Sequence, residues 1–336
     1  MQSIADSSEI KSTQTSKQKS NINGWLVIDK PLGLTSTKVG SQLKRLLRPQ
    51  KIGHVGTLDP LASGVLTFAL GEATKLIPYW NITAKKYEFH ITFGERRSTD
   101  DAEGEVIERS SVLPTAARIV MFLDQFLGTI DQVPPNYSAI QVDGKRSYDR
   151  ARKGEEFTLP SRSVRIDDLH IARRISDETY AFEVTCGTGT YVRSLARDIA
   201  EACGTVGYVS YLRRIKDGCF QIKDAVSLDE LLNKTDNTNL VEENSKTMHN
   251  HFGIFPLSSV LDDIPAVTVG EDDLKRLYLG QAIPVDSIAD LMQLGLTSGV
   301  VQIQGSSGLC AMGFIEDGQL KPKRLLHLGE HDVDYY

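Results

Sequence analysis

The stretch GHVGTLDPLASG, residues 53–64, is the strongest irregularity in this chain of 336 residues. Three glycines and one proline within twelve residues do not fit the interior of a regular helix or strand, so the pattern predicts an ordered loop. The apolar run VLTFAL follows at residues 65–70 and is typical of a fully buried strand. The sequence therefore places an aspartate, Asp59, in a glycine-walled loop just before a buried strand.

The segment before this loop predicts a strand followed by a helix. Residues 25–28 form a short apolar run that ends near Pro31, which is typical of a buried strand. Ser36 is a plausible N-cap for an amphipathic helix that Pro49 would end.

The segment after the loop mixes strands and helices without a repeating β-α-β order. Apolar and polar residues alternate over 87–93 and again over 180–186, which predicts two half-buried strands. Residues 115–128 have a helical apolar period, and a helix is predicted from Val192 to a stop near Gly204. The pattern therefore indicates an α+β fold.

The two ends and one internal stretch differ in composition from the rest. Residues 1–22 are rich in Ser, Gln, Lys and Thr and predict a disordered polar tail. We expect a large domain over 23–255, with 233–251 as a polar, flexible linker or insertion within it. Short strands and glycine-containing turns predict a small β-rich domain over 256–336.

The net negative charge of the protein comes from the last third of the chain. The formal net charge is −6, yet residues 21–225 carry 28 Lys and Arg against 25 Asp and Glu. Residues 226–336 carry 7 against 17. Because binding depends on local patches, the acidic average does not exclude a polyanionic partner. We expect the basic excess of residues 21–225 to lie on one face around Asp59.

Several classes of protein are disfavoured by what the sequence lacks. No stretch approaches the roughly 18 uncharged apolar residues of a membrane-spanning helix, and the N-terminal segment has neither a secretory nor an organelle-targeting pattern. Four widely spaced cysteines favour a reducing cytoplasm over a disulfide framework. Seven histidines without ligand spacing predict no catalytic metal.

Taken singly, the candidate chemical residues have ordinary structural explanations. Asp59 precedes a proline and suits a turn or a helix N-cap. Arg193 suits a helix surface, Tyr87 suits a half-buried strand, and His54 suits a loop.

Together with their neighbours, these residues carry a family resemblance. The segments NGWLVIDKPLGLTS, KIGHVGTLDPLASGVL, TKLIPYW…KKYEFHITFG, VPPNYSAIQVDGKRSYDRARKG and CGTGTYVRSLARDIAEACG…YLRRIKDG follow one another in chain order. They resemble the motifs of the TruB family of bacterial tRNA pseudouridine-55 synthases over roughly residues 23–230. The segment from about residue 256 resembles, more weakly, a PUA-type RNA-binding module.

The resemblance implies a role for each matching residue. Asp59 matches the catalytic aspartate of the family, Tyr87 the tyrosine that stacks on the target base, and Arg193 the arginine paired with the catalytic carboxylate. The remaining matches imply substrate or RNA binding, with Lys30 also supporting the active-site loop and Leu212 lying against the uracil. These five residues are His54, Lys30, Leu212, Tyr191 and Lys75.

The implied reaction suits these residue types. Uridine becomes pseudouridine when the glycosidic bond breaks, the uracil turns, and C5 bonds to C1′, so no redox change occurs and no cofactor is needed. A carboxylate can attack the ribose or stabilise positive charge there. A nearby arginine favours its ionised form in a dry pocket. Either the Tyr87 hydroxyl or a water could remove the C5 proton.

The resemblance also implies a central mixed, mostly antiparallel sheet flanked by helices, a tRNA T-arm as partner, and a cytoplasmic location. We expect a monomer without a metal. Two alternatives stay open: a guide-RNA-dependent pseudouridine synthase, and a non-catalytic RNA-binding or RNA-folding module. A metal hydrolase is disfavoured, because no cluster of ligands supports it.

Overall fold

A computed structural model describes most of the chain. The described residues are 19–80, 84–138, 141–142, 145–151, 155, 157, 159–234, 245–306 and 308–328.

The described residues form nineteen strands and eight α-helices. The strands are β1 (Gly24–Lys30), β2 (Ile52–Val55), β3 (Ala62–Leu70), β4 (Lys85–Phe93), β5 (Glu95–Arg97), β6 (Val106–Arg109), β7 (Gly128–Gln132), β8 (Gln141–Val142), β9 (Lys145–Arg146), β10 (Arg162–Arg174), β11 (Thr179–Cys186), β12 (Gly207–Asp217), β13 (Phe220–Gln221), β14 (Val226–Ser227), β15 (Ala266–Thr268), β16 (Ile283–Pro284), β17 (Gly299–Gly305), β18 (Gly308–Glu316) and β19 (Gln319–Leu325). The helices are α1 (Ser36–Leu47), α2 (Ala116–Leu123), α3 (Ser147–Ala151), α4 (Val192–Ala202), α5 (Leu228–Lys234), α6 (Ser245–Phe252), α7 (Glu271–Tyr278) and α8 (Ala289–Leu294).

The central element is a mixed sheet in the order β14-β1-β3-β12-β4-β11-β10-β7, with β2 and β13 attached beside it. Its strand pairs are antiparallel except for β1 with β14 and β3 with β12. The predicted α+β class, with a mixed and mostly antiparallel sheet, is confirmed.

Both faces of the central sheet are covered, and strand β1 shows how. Successive side chains of a strand point to opposite faces. Leu26 and Ile28 accordingly pack with helices on one face, whereas Trp25 and Val27 join a second cluster on the other. Every residue of β3 is buried for the same reason, which confirms the prediction for residues 65–70.

Helix α1 begins with a different cap from the predicted one. Thr35 is the N-cap, and its side chain accepts a hydrogen bond from the Lys38 N–H. Ser36 is the first helical residue instead, and its hydroxyl both donates to the Leu58 carbonyl at 3.0 Å and accepts from the Leu58 N–H at 2.9 Å. The serine therefore ties α1 to the loop that carries Asp59.

The predicted loop at residues 53–64 is shorter in the structure. Strand β2 continues to Val55 and β3 begins at Ala62, so only residues 56–61 are irregular. The glycine at 64 lies inside a strand, where a Cβ would come within 2.1 Å of the Arg214 carbonyl oxygen. A glycine inside a strand can mark a close backbone approach rather than a loop.

The predicted helix over 115–128 is also shorter. Helix α2 ends at Leu123, a 3₁₀ turn covers Asp124–Phe126, and β7 starts at Gly128. The predicted strand over 180–186 and the helix from Val192 are both confirmed.

The expected tail and linker fall partly on residues 1–18 and 235–244, which lie outside the described residues. The last residues of the expected tail pack on the domain, since the Ser20 N–H donates to the Arg48 carbonyl and Ile22 is buried. The second half of the expected linker contains α6, whose Phe252 is buried. Buried apolar residues such as Ile22 and Phe252 lie next to these polar stretches, and composition alone does not reveal that the neighbouring polar residues pack on the domain.

The C-terminal segment forms its own five-stranded sheet in the order β15-β17-β18-β19-β16. Leu309, Met312 and Leu326 from this segment pack in the same cluster as Trp25 and Val27 of the central sheet. This shared core fixes the small sheet against the large one. No helix in the described part of the chain is long and apolar enough to span a bilayer.

Candidate active site

A cavity of about 290 Å³ opens beside the loop at residues 56–61. Its walls come from that loop, from strands β4 and β12, and from the start of α4. The lining residues are Gly56, Thr57, Leu58, Asp59, Ala62, Lys85, Tyr87, Ser138, Gly187, Gly189, Thr190, Tyr191, Val192, Arg193 and Leu212. Five residues predicted from the sequence therefore share one cavity: Asp59, Tyr87, Tyr191, Arg193 and Leu212.

The loop that carries Asp59 is held from both sides. Leu58 makes its two hydrogen bonds to the Ser36 hydroxyl, and the Asp59 carbonyl accepts from the Ala62 N–H at 3.1 Å. The Pro60 carbonyl accepts from the Gly33 N–H at 2.8 Å. These contacts fix the backbone and leave the Asp59 side chain 40% exposed at the cavity.

Arg193 is buried in the first turn of α4 and lies between two carboxylates. Its Nη2 is 2.8 Å from Asp59 Oδ2, and its Nη1 is 3.3 Å from Asp101 Oδ2. The guanidinium also donates to the carbonyls of Thr99 and Tyr137, at 3.0 and 2.9 Å. Such a network fixes the direction of the guanidinium and keeps a positive charge beside Asp59.

Asp101 is a site residue that the sequence reasoning missed. Burial raises the pKa of its carboxyl, while the Thr99 hydroxyl and Arg193 oppose that rise. The preceding Asp100 has a left-handed backbone, φ 59°, and its carboxylate lies 2.9 Å from Arg197. The tandem aspartates thus hold two arginines that lie one turn apart on α4. The only signal was the segment STDDAEGE, which has the composition of a polar turn.

Tyr87 is buried on β4 and contributes to the cavity wall. Burial raises the pKa of its hydroxyl to about 12, and the nearby Arg214 opposes the rise. The hydroxyl therefore keeps its proton near neutral pH, and its ring can serve as a stacking platform. Leu212 on β12 adds an apolar surface to the same cavity.

Tyr191 is the N-cap residue of α4, and its N–H donates to Gln132 Oε1 at 2.8 Å. That contact holds the start of α4 against the end of β7.

Lys30 lies behind the loop rather than in the cavity. Its buried ammonium donates to the Pro31 and Leu34 carbonyls at 2.9 and 2.7 Å and approaches the Pro60 carbonyl at 3.5 Å. Burial lowers the pKa of Lys30 to about 8, and Asp59 opposes that shift. Lys30 thus joins the strand-to-helix turn to the loop of Asp59.

His54 lines a separate cleft of about 180 Å³ between α1 and β2. Its Nε2 lies 3.2 Å from the Thr57 hydroxyl, and its ring packs near Phe68. Burial lowers the pKa of His54, with a further lowering from Arg214.

Lys75 is directed away from the cavity. Its ammonium is 2.6 Å from the Glu72 carboxylate and 2.8 Å from the Leu325 carbonyl. The same carboxylate accepts from the His327 N–H at 2.6 Å. Lys75 therefore joins the turn that follows β3 to the C-terminal sheet.

Several arginines within residues 21–225, the part of the chain with the basic excess, are already paired with carboxylates. Arg96 pairs with Glu201, Arg173 with Glu88 at 2.7 Å, and Arg213 with Asp29 at 2.7 Å. In the described parts of the chain, no group of three or more His, Cys, Asp and Glu side chains has the arrangement of a metal site.

A second missed feature lies behind the loop. The fully buried Arg214 donates from Nε to the Val65 carbonyl at 2.7 Å and from Nη2 to the Gly56 carbonyl at 2.8 Å. It also pairs with the buried Asp217 at 3.2 Å. The segment YLRRIKDG contains Leu212, Arg214 and Asp217, yet only Leu212 was predicted from it as a site residue.

Comparisons with known proteins show which family the chain belongs to. The profile of the TruB family pseudouridylate synthase N-terminal domain matches residues 44–192, and that of the tRNA pseudouridylate synthase B C-terminal domain matches residues 193–263. The tRNA pseudouridine synthase B of Gluconacetobacter diazotrophicus is 44% identical over 310 residues, covering 91% of this chain and 97% of the relative. The protein of the same name from Bradyrhizobium diazoefficiens is 40% identical over 318 residues, covering 95% and 90%.

Solved structures share the fold at lower identity. A Cbf5-Nop10-Gar1 complex contains a chain with a TM-score of 0.65 and 24% identity, covering 92% of this chain and 86% of that one. A chain in an H/ACA RNP bound to a substrate RNA containing 2′-deoxyuridine has a TM-score of 0.63 and 21% identity, covering 93% and 87%.

The family profiles and the relatives define the class of protein as a pseudouridine synthase, an enzyme that isomerises uridine within RNA. The chain belongs to the TruB family of pseudouridylate synthases.

Proposed function

We propose that this protein isomerises uridine 55 in the T-loop of tRNA to pseudouridine, with Asp59 as the catalytic carboxylate. The observation that carries this proposal is the pairing of Asp59 with the buried Arg193 at 2.8 Å in a cavity shared with Tyr87 and Leu212. The names of the curated relatives support tRNA as the substrate.

The target base must first leave its stack. Flipping a stacked nucleotide costs a few kcal/mol, which contacts to phosphates from basic side chains can offset. The cavity then receives the uracil between the Tyr87 ring and the Leu212 side chain. Stacking on an aromatic ring contributes about 1–3 kcal/mol per base, which retains the detached uracil and still permits rotation.

Asp59 acts at the ribose. Its carboxylate either attacks C1′ or compensates the positive charge that develops when the C1′–N1 bond breaks. Arg193 fixes the direction of this carboxylate, and Asp101 fixes Arg193 from the other side. After the uracil turns, C5 bonds to C1′ and the C5 proton leaves. The pKa of about 12 at Tyr87 favours a water over the tyrosinate as the base for that step.

The remaining residues position this machinery. Lys30 braces the loop of Asp59, and His54 lies in the neighbouring cleft, where it can contact the RNA beside the flipped base. Tyr191 closes the cavity at the start of α4. Lys75 contacts the C-terminal sheet in the structure, so its contribution to tRNA binding is indirect, through the placement of that sheet.

The proposal extends to partners and location. The tRNA T-arm is the substrate, the protein acts as a monomer in the cytoplasm, and the small C-terminal domain is a PUA-like module that grips the acceptor end. Isomerisation transfers no electrons or groups to a second molecule, so no cofactor is required. The proposed enzyme recognises tRNA itself and acts without a guide RNA.

The test uses an unmodified tRNA transcript and the purified protein, without added guide RNA or metal. Pseudouridine is mapped by carbodiimide adduct formation and primer extension. The proposal predicts one new stop, one nucleotide 3′ of position 55, and none in a transcript with cytidine at position 55. Binding without any modification would favour the guide-dependent synthase or the RNA-binding module and overturn the proposal.

A further inference from the structure

Three charged side chains converge behind the loop of Asp59. A Cβ built on Gly56 would lie 2.8 Å from Lys85 Nζ, 3.0 Å from Arg214 Nη1 and 3.1 Å from Asp217 Oδ2. Gly56 has a φ of 63°, and any side chain there would collide with the cluster. The loop backbone thus packs directly on two cations and one anion.

The three groups differ in what they face. Arg214 and Asp217 are fully buried and pair with each other, and Arg214 also donates to two carbonyls. Among these three, Lys85 alone belongs to the wall of the cavity. Its neighbours along and across the sheet support that placement. Lys85 lies two residues before Tyr87 on β4, on the same face, and opposite Asp217 of β12.

The ammonium of Lys85 is held near the cavity without being committed to a carboxylate in a close ion pair in the described structure. Burial lowers its pKa and Asp217 opposes that shift, so a partly desolvated cation faces the space where the base would lie. Since Asp217 is already paired with Arg214 at 3.2 Å, the cluster keeps one net positive charge.

The reaction creates a charge that this cation would meet. When the C1′–N1 bond breaks, its electron pair stays with the uracil as an anion spread over N1, O2 and O4. The electron deficit at C1′ is met by the Asp59 carboxylate. C5 then gives an electron pair to C1′, its proton passes to a base, and N1 takes up a proton, so atoms and charge balance.

We propose that Lys85 is a catalytic residue whose ammonium stabilises the uracil anion while the base is detached and turning. This inference rests on the proposed function. Once the bound base has displaced water from the cavity, a fixed positive charge acts on charge that develops in the transition state. Groups of this kind contribute roughly 100-fold or more to a rate. The aromatic face of Tyr87 and the side chain of Leu212 provide no such charge.

The test compares Lys85→Met with Lys85→Arg and with Lys86→Met in the full chain. Lys86 is adjacent on β4 but points to the opposite face, where it pairs with Glu183 at 2.6 Å, so it is a matched control. Single-turnover conversion is measured as loss of the N1-linked nucleoside at position 55, on tRNA transcripts made with uridine or with 5-fluorouridine. This readout serves both substrates, because fluorine cannot leave C5 as the proton does and the base that bonds through C5 keeps it. The dissociation constant for tRNA and the melting temperature are measured for each variant.

We expect Lys85→Met to slow conversion of the uridine transcript about 100-fold and to leave tRNA affinity within about threefold. Fluorine makes the departing base a more stable anion, so the same variant should lose several-fold less on the 5-fluorouridine transcript. Lys85→Arg, which keeps the charge, should retain more activity than Lys85→Met, and Lys86→Met should match the wild type.

Conversion by Lys85→Met within threefold of the wild type would overturn the inference. So would an equal loss on both transcripts, which would indicate a structural role. If Lys85→Met does not fold, the comparison rests on Lys85→Arg, whose own loss must then be smaller on the 5-fluorouridine transcript. A wild type that binds tRNA without converting it would instead refute the proposed function itself.

Discussion

Replacing Arg193 by methionine tests the network around the candidate catalytic carboxylate. The substitution replaces the guanidinium side chain by an unbranched, uncharged one and so removes the positive charge between Asp59 and Asp101. It also removes the donors to the Thr99 and Tyr137 carbonyls.

The two carboxylates contribute unequally to the cost. Asp101 is only 3% exposed, so without Arg193 it becomes a buried charge without its counterion, which costs about 3–5 kcal/mol. Asp59 is 40% exposed, and solvent limits its share to about 1 kcal/mol or less. Arg193→Met combined with Asp101→Asn removes the isolated charge, so the double variant should be more stable than the single one by about 2 kcal/mol.

The pH dependence of this loss has a definite sign. Burial already raises the pKa of Asp101, and Arg193 is one of the groups that hold it down, so the variant raises it further. The folded variant then binds a proton at a pH where the unfolded chain does not. Its stability deficit therefore shrinks as the pH falls through that range. The double variant lacks the carboxyl and should not show this recovery.

Urea unfolding at several pH values, followed by the fluorescence of Trp25 and Trp80, measures these differences. Both tryptophans are buried beside the central sheet. A loss for Arg193→Met below about 1 kcal/mol at neutral pH, the upper limit for an exposed pair, would refute the reasoning. The same conclusion would follow from a loss that does not change with pH.

Three further predictions concern the backbone, a buried lysine and the stacking platform. Gly64→Ala should lower the free energy of unfolding in urea by about 3 kcal/mol or more, because its Cβ would meet the Arg214 carbonyl at 2.1 Å. Gly128→Ala, with open space around it, should lower it by only about 1–2 kcal/mol. Equal losses for the two variants would contradict the close approach at Gly64. Burial lowers the pKa of Lys30 to about 8, so the folded protein releases this proton at a pH where the unfolded chain still holds it. The wild type should therefore gain stability relative to Lys30→Met as the pH rises from 7 to 10. A stability difference that stays constant would show that Lys30 is not desolvated. Tyr87→Leu should weaken tRNA binding by about 5–150-fold, the equivalent of one stacked base, while Tyr87→Phe stays near the wild type; filter binding that shows equal losses would count against stacking.

Much of the fold was predictable because its signals are local. Alternation over residues 180–186 and the apolar period after Val192 report strand and helix directly. The N-cap of α1 and the limits of the loop that carries Asp59 were not predictable, because both depend on contacts between residues far apart in the sequence. The Ser36 hydroxyl bonds to the backbone of Leu58 instead of capping its own helix, and Gly64 allows the close approach of the neighbouring strand at Arg214.

The candidate site shows the same division. Its motif residues Asp59, Tyr87 and Arg193 were found through a family resemblance, and the fold brings them to one cavity. Asp101 and Lys85 were missed. The polar turn around Asp101 and the adjacent lysines Lys85 and Lys86 have the same composition whether they face solvent or a cavity. Burial decides their chemistry, and burial is set by strands that lie far away in the sequence.

The central claim is that Asp59 carries out the isomerisation of uridine. Forming the C5–C1′ bond expels the hydrogen at C5, so tritium release from tRNA made with 5-tritiated uridine follows the reaction directly. The wild type should release tritium without metal or guide RNA. Asp59→Asn should release it at least about 1,000-fold more slowly, and Asp168→Asn, an exposed aspartate on β10, should match the wild type. Undiminished release by Asp59→Asn would contradict the account.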